Sequence, residues 1–334
     1  MADSRSGNNK RLENHFSGML VIRKEAGYTS SDVVAKLRGI LHMRKIGHTG
    51  TLDPMAEGVL PVCLGSATKL AELIADRDKE YVARMRLGVT TDTQDMTGTV
   101  LEEKPVTDLT EEDVRAAARQ FVGEIEQIPP MYSAVWSNGK RLYDLARKGV
   151  TVERTPRKVR ISELEVQEVD LPYVTLRVVC SKGTYIRTLC EDLGNALGTG
   201  GAMEHLLRTR VGTFTLDEAL TLGEVQALMK PEAGAMPSGT EDRIEDHIIP
   251  IDAFFADDPA VHVRDEDLKF LRNGNPLSGS NTVEGRIPHT ERVRVYDERG
   301  EFYALYRYEK SRRRILPVKM FHETESVRSD RRGG

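Results

Sequence analysis

Gly47-His48-Thr49-Gly50-Thr51-Leu52-Asp53-Pro54 presents a single carboxylate, Asp53, in a stretch that its neighbours hold extended. Proline at 54 disfavours the α region for Asp53, and Gly47 and Gly50 permit positive φ or a close approach of a ligand to the backbone. The reading is therefore a loop. Just upstream, His42, Arg44, Lys45 and His48 meet no acidic counterweight, because residues 33 to 52 contain neither Asp nor Glu. Nearby positive charge favours the ionised, nucleophilic form of a carboxylate. An Asp-Pro pair after glycines is also an ordinary turn signal, so the loop takes its meaning from its surroundings.

The wider string, Arg44-Lys45-Ile46-Gly47-His48-Thr49-Gly50-Thr51-Leu52-Asp53-Pro54-Met55-Ala56-Glu57-Gly58-Val59-Leu60-Pro61-Val62-Cys63-Leu64-Gly65, resembles the signature of the TruB family. These are bacterial tRNA pseudouridine synthases that isomerise a uridine in the T loop. The resemblance is strong from Gly18 to Leu222 and looser over 248 to 322. It implies a mixed α/β catalytic domain with a mainly antiparallel sheet, and a small β-rich PUA-like C-terminal domain. By the same resemblance Asp53 is the catalytic carboxylate. Tyr81, in Asp78-Lys79-Glu80-Tyr81, is the tyrosine that stacks on the target base. Arg187, in Cys180-Ser181-Lys182-Gly183-Thr184-Tyr185-Ile186-Arg187-Thr188-Leu189, is the arginine that pairs with the aspartate. Tyr185 and Leu206 line the uracil pocket, and His48 takes the space of the flipped nucleotide.

Two positions depart from the family pattern. The usual Lys-Pro-x-Gly-x-Thr-Ser reads here Lys24-Glu25-Ala26-Gly27-Tyr28-Thr29-Ser30, and the usual Leu-Arg-Arg-Thr reads Leu206-Leu207-Arg208-Thr209. The first loses a rigid proline and the second one cation. Neither touches Asp53, Tyr81 or Arg187.

At 334 residues the chain suggests two domains, with 39% hydrophobic and 30% charged residues as in a soluble globular protein. The net charge of −4 argues against nucleic acid if taken alone. Its distribution argues otherwise. Lys140, Arg141, Arg147, Lys148, Arg154, Arg157, Lys158 and Arg160 face only Asp144 and Glu153, while Arg307, Lys310, Arg312, Arg313, Arg314 and Lys319 face only Glu309. Acids collect instead at Glu241, Asp242, Glu245, Asp246, Asp252, Asp257 and Asp258.

Along the chain, residues 1–16 and 323–334 read as flexible tails, 17–230 as the catalytic domain, 231–247 as a linker and 248–322 as the C-terminal domain. Gly18 to Ile22 and Tyr81 to Leu87 read as strands, with a helix capped by Ser31 between them. Thr110, with Asp113 three residues on, caps a helix running to Phe121. Tyr173 to Cys180 alternates as a half-buried strand, and Ile186, Leu189, Cys190, Leu193 and Leu197 form one face of a helix ending near Gly198. Arg187 lies off that face and so can point into a cleft. Residues 101–128 and 129–160 interrupt the strand pattern and read as excursions from the sheet. In the C-terminal part, Val261 to Val263, Val293 to Tyr296, Phe302 to Tyr308 and Ile315 to Phe321 read as strands, with a turn at Asp297-Glu298-Arg299-Gly300.

Conversion of uridine to pseudouridine detaches the base at N1 and rejoins it through C5, so it needs no electron or group carrier and no cofactor is expected. The chain has no phosphate-binding Gly-x-x-x-x-Gly-Lys loop, no His-Glu-x-x-His and no Cys-x-x-Cys, and a metal is not expected. Asp92 to Gly98 resembles a calcium loop with its glycine one position late, and reads as a turn. Within 129–160, Tyr132, Trp136 and Tyr143 alternate with Lys140, Arg141 and Arg147, a mixture suited to stacking and phosphate contact. The family carries an RNA-clasping insertion here, so Lys140, Arg141 and Tyr143 are the expected tRNA contacts. Free cysteines, no signal peptide and no apolar run of about 20 residues suggest a cytoplasmic protein without a membrane span. No obligatory protein partner is expected. Two alternatives stay open: a guide-RNA-dependent relative, and an RNA-folding chaperone with secondary catalysis.

Overall fold

The computed structural model describes residues 15–133, 135–137, 139–150, 152–229 and 242–322. Residues 1–14 of the N-terminal tail, the whole C-terminal tail and most of the linker read from sequence fall outside these residues. In chain order the elements are β1 (Gly18–Lys24), α1 (Ser30–Ile40), β2 (Ile46–His48), β3 (Glu57–Leu64), α2 (Ala71–Ala75), β4 (Lys79–Leu87), β5 (Val89–Thr91), β6 (Val100–Glu103), α3 (Glu111–Arg119), β7 (Gly123–Gln127), β8 (Trp136–Ser137), β9 (Lys140–Arg141), α4 (Leu142–Ala146), β10 (Arg157–Asp170), β11 (Tyr173–Cys180), α5 (Ile186–Ala196), β12 (Gly201–Val211), β13 (Phe214–Thr215) and α6 (Leu222–Leu228). The C-terminal part adds β14 (Ala260–Val263), α7 (Leu268–Arg272), β15 (Val293–Asp297), β16 (Phe302–Glu309) and β17 (Arg314–Met320).

Nine strands form the main sheet, in the order β1-β3-β12-β4-β11-β10-β7, with β13 beside β12 and β2 beside β3. Every pairing is antiparallel except β12 with β3. One face of β4 and β11 carries Tyr81, Ala83, Met85, Val174, Leu176 and Val178 against α3 and α5. Antiparallel strands covered on one side alternate in this way. β1 and β3 differ. Leu20, Ile22, Leu60 and Val62 pack against α1 and α6, while Met19, Val21, Val59 and Cys63 pack against Phe255, Leu305 and Phe321 of the C-terminal part. Burial on both faces explains their continuous apolar runs.

The expected mixed α/β domain with a mainly antiparallel sheet is thus present, followed by a β-rich module whose strands order as β14-β15-β16-β17. The turn at Asp297 forms as read, with Gly300 at φ +83 and its N–H donating to Asp297 O at 3.1 Å. Two local readings are corrected. The α1 cap is Thr29, whose side chain accepts from Asp32 N while Asp32 accepts from Thr29 N, so the reciprocal capping box starts the helix before Ser31. Residues 101–128 are not wholly an excursion, because β7 closes one edge of the main sheet, and β10 joins it from Arg157. β7 exposes Glu124 and Glu126, and β10 exposes Glu, Lys and Arg side chains, which mask the strand pattern.

α5 carries the candidate arginine, and its seat on the sheet depends on one glycine. A Cβ on Gly194 would lie 2.3 Å from Gly200 C and Gly201 N, at the start of β12. Backbone cannot yield there as a flexible side chain would. Gly194→Ala is expected to destabilise the fold by about 1–3 kcal/mol, read as a lower urea midpoint at unchanged m-value.

Candidate active site

Residues 49 to 56 cross from β2 to β3 with no ladder of their own, so their buried backbone groups must find partners elsewhere. Neighbouring elements supply them. Thr49 N and Oγ1 donate to Pro61 O at 3.1 and 3.3 Å. Leu52 N donates to Ser30 Oγ at 2.9 Å, at the start of α1. Arg208 on β12 donates from Nη2 to Gly50 O at 3.3 Å and from Nε to Val59 O at 2.7 Å. Lys24 Nζ, at the end of β1, donates to Pro54 O at 3.0 Å and to Ala56 O. Lys24 and Arg208 are each only 1% exposed, so the loop rests on two buried cations that spend their donors on its carbonyls. Gly58, at φ +106, completes the fit: a Cβ there would lie 2.1 Å from Arg208 O.

Asp53 stands at the open side of this loop. Arg187 Nε meets Asp53 Oδ2 at 2.8 Å and Nη2 meets Oδ1 at 3.2 Å, a two-point pair that fixes the plane of the carboxylate. The arginine side chain is 5% exposed and the aspartate 37%, so the cation is the buried partner and the carboxylate the reachable one. Two further guanidinium donors go to Thr93 O at 3.0 Å and Tyr132 O at 2.9 Å, and Asp95 Oδ2 lies 3.8 Å away. One side chain therefore ties together the Asp53 loop, the Asp92–Gly98 turn and the segment after β7. In that turn Asp95 Oδ1 accepts from Thr97 N at 3.0 Å and Asp92 Oδ1 from Thr99 N at 2.7 Å. The turn reading of this string holds, since these carboxylates satisfy its own backbone.

Tyr81 is 8% exposed and packs with Leu52, Ala56, Ile186 and Leu206. It is the cross-strand partner of Arg208. Burial pushes the Tyr81 phenol up, outweighing the pull of Arg208, so the group is neutral. Tyr185 is partly exposed at the N-terminus of α5, next to this cluster. His48 sits at the end of β2, where burial and then the charge of Arg208 lower its pKa. The result is a neutral planar ring whose Nδ1 is buried without a hydrogen-bond partner among the described residues. Asp53, Tyr81, Arg187, Tyr185 and Leu206 are thus brought together, with His48 at the other end of the same loop.

The sequence-predicted RNA contacts lie on a separate unit. Among the described residues β8 and β9 pair only with each other, and Tyr143 on α4 lies under Arg147, 4.6 Å from ring centroid to guanidinium. The side chains of Lys140 and Arg141 fall outside the described residues. Trp136 is 63% exposed.

Sequence reasoning missed Lys24, Ser30, Arg208 and Gln127 as parts of the site. Lys24 had a signal: on β1 it continues the inward row of Leu20 and Ile22. Arg208 follows Leu206 on the buried face of β12, but which strand lies alongside is not written locally. Glu25 turns its side chain to solvent while its carbonyl still accepts from Lys24 Nζ at 3.1 Å, and Leu207 is half-buried on the opposite face of β12 from Arg208.

Two titrating groups stand out near the site. Burial lowers Lys24 to about 8, partly opposed by Asp53. Asp192 on α5 is raised from 3.8 to about 6 by burial and by Glu191 beside it. A carboxyl raised in the folded state favours folding only below its unfolded pKa, and that contribution is gone once the pH exceeds the folded value. Asp192→Asn is therefore expected to raise the melting temperature above pH 6 and to give no gain near pH 3.8, as scanning calorimetry at the two pH values would read.

Residues 38–186 match the model of the TruB family pseudouridylate synthase N-terminal domain, and residues 187–256 match that of the tRNA pseudouridylate synthase B C-terminal domain. The tRNA pseudouridine synthase B of Lachnoclostridium phytofermentans is 46% identical over 317 residues, covering 92% of this chain and 100% of that protein. The protein of the same name from Bacillus pumilus is 39% identical over 315 residues, covering 92% and 98%. Among solved structures, a Cbf5-Nop10-Gar1 complex matches with a TM-score of 0.64 at 27% identity, over 92% of this chain and 86% of that one. An H/ACA RNP bound to a substrate RNA containing 2'-deoxyuridine matches at 0.63 and 26%, over 92% and 86%. With the Asp53–Arg187 pair in the same segments, the extent of these matches shows that the chain belongs to the TruB family of pseudouridylate synthases.

Proposed function

We propose that the protein isomerises uridine to pseudouridine in the T loop of tRNA, as a stand-alone cytoplasmic enzyme. The observation that carries this reading is the partly exposed Asp53, held by a buried arginine on a loop whose Leu52 and Ala56 pack in one cluster with Tyr81 and Leu206. The reaction breaks the N1–C1′ bond, turns the base and forms a C5–C1′ bond, while C5 loses a proton and N1 gains one. Atoms and electrons balance within the nucleotide, so the chemistry asks for no carrier. Asp53 supplies the carboxylate that acts on the nucleotide, Arg187 orients it, and Tyr81 offers a flat face and a neutral hydroxyl to the base. His48 fills the stack from which the uridine has turned out, recovering part of the few kcal/mol that flipping costs.

Lys140, Arg141 and Tyr143 on the hairpin and helix between β7 and β10 grip the tRNA. Among the described residues no helix is long and apolar enough to cross a membrane. A second reading draws on the Cbf5 and H/ACA structures, which are complexes with protein or RNA partners. Purified protein acting alone on an unmodified tRNA transcript separates the two, and we expect turnover without any partner.

Tritium released from C5-labelled uridine in tRNA should fall roughly 1,000-fold or more in Asp53→Asn, with tRNA binding retained because one fewer negative charge does not weaken phosphate contacts. Equal rates in the two proteins would remove Asp53 from the chemistry. The double variant Lys140→Ala, Arg141→Ala should weaken tRNA binding and flatten the plot of log affinity against log salt by about 1–2 in slope. An unchanged slope would place both cations in solvent.

A further inference from the structure

Gln127 is the last residue of β7 and is 1% exposed. Both ends of its carboxamide go to the backbone of one distant residue: Tyr185 N donates to Oε1 at 3.0 Å, and Nε2 donates to Tyr185 O at 3.2 Å. Tyr185 is the N-cap position of α5, where no side-chain cap is present. Two residues further on is Arg187, whose Nη2 donates to Tyr132 O. Tyr132 lies five residues after Gln127, beyond Pro129 and Pro130, on the segment that leads from the main sheet to the β8–β9 hairpin. One short stretch thus grips the start of α5 twice, at its backbone through Gln127 and at its arginine through Tyr132.

We propose that Gln127 is a positioning residue for the reaction, holding Tyr185 against the base pocket and Arg187 in register with Asp53. The inference rests on the pseudouridine synthase reading above. The reciprocal pattern needs one donor and one acceptor at the end of a two-methylene stem, which among side chains of this length only glutamine offers at neutral pH. Glutamate would set a second oxygen against Tyr185 O, and methionine would leave Tyr185 N without its acceptor and Tyr185 O with only its helical donor, Leu189 N at 3.0 Å. Either change releases the first turn of α5 from the end of β7. The two-point geometry at Asp53 depends on distances of 2.8 and 3.2 Å, so a small shift of that turn reaches the chemistry. Substrate binding through the β8–β9 hairpin and α4 is left in place.

The test compares wild type with Gln127→Glu and Gln127→Met, which keep nearly the same volume, and with Val261→Ala in the buried face of β14 as a control for general loss of stability. Single-turnover tritium release is measured at saturating enzyme, well below every melting temperature, and tRNA affinity is measured separately. Both Gln127 variants should lose about 10- to 100-fold in rate, while the dissociation constant for tRNA stays within about 3-fold and Val261→Ala keeps the wild-type rate. Wild-type rates in both Gln127 variants would overturn the proposal. So would a rate loss shared with Val261→Ala at an equal drop in melting temperature, since that would make Gln127 a packing residue only. Absence of tritium release from wild type would instead overturn the functional reading on which the proposal stands.

Discussion

A single buried guanidinium holds the site together. Arg187 gives two donors to Asp53 and one each to the carbonyls of Thr93 and Tyr132, so three loop segments far apart in sequence share one planar side chain. Arginine suits this task because its donors lie in a rigid fork and its charge persists when buried. A buried charge is costly unless its attraction and hydrogen bonds are well formed. Here that cost is offset at four points, and the same contacts leave one edge of the Asp53 carboxylate open to the cleft. The seating of α5 on β12 through Gly194 is what allows the arginine to arrive from below.

The Asp53 loop shows the same economy. Loops normally run over the surface because their backbone polar groups need water. This one passes beside the core, and water is replaced by Lys24, Arg208 and the Ser30 hydroxyl. Anchors of this kind fix position without requiring regular structure, which lets the loop keep an irregular path that displays a carboxylate. They also concentrate positive charge around the site. The effect is visible in the lowered pKa of His48, to which Arg208 contributes. An RNA backbone is attracted to such a field even on a chain whose net charge is −4.

Much of the architecture was legible from residue patterns. The strand at Tyr173 to Cys180 and the helix from Ile186 follow strict apolar periodicities, because each buries one face against a single neighbour. The capped helix after Thr110 was legible because its partners are three residues apart. β7 and β10 were not, since their exposed Glu, Lys and Arg side chains hide a sheet edge whose pairing partner is remote. At the site, the opening motif and the segment around Arg187 singled out the residues that the fold brings together. Arg208 and Gln127 escaped notice because their roles are contacts to backbone atoms, which any residue carries and no motif spells out.

What the sequence by itself determined is everything that depends on neighbours along the chain: the extended display of Asp53 before Pro54, the helix that starts at Ile186 with Arg187 off its apolar stripe, and the apolar runs of β1 and β3. Only the tertiary structure decided which of these meet. The 134-residue separation of Asp53 and Arg187 carries no local record of a 2.8 Å contact. That contact exists because the β12–β4 and β11–β4 registers and the packing of α5 leave the two side chains no other arrangement. Local chemistry sets which groups are available, and non-local packing sets the distances at which charge and geometry act.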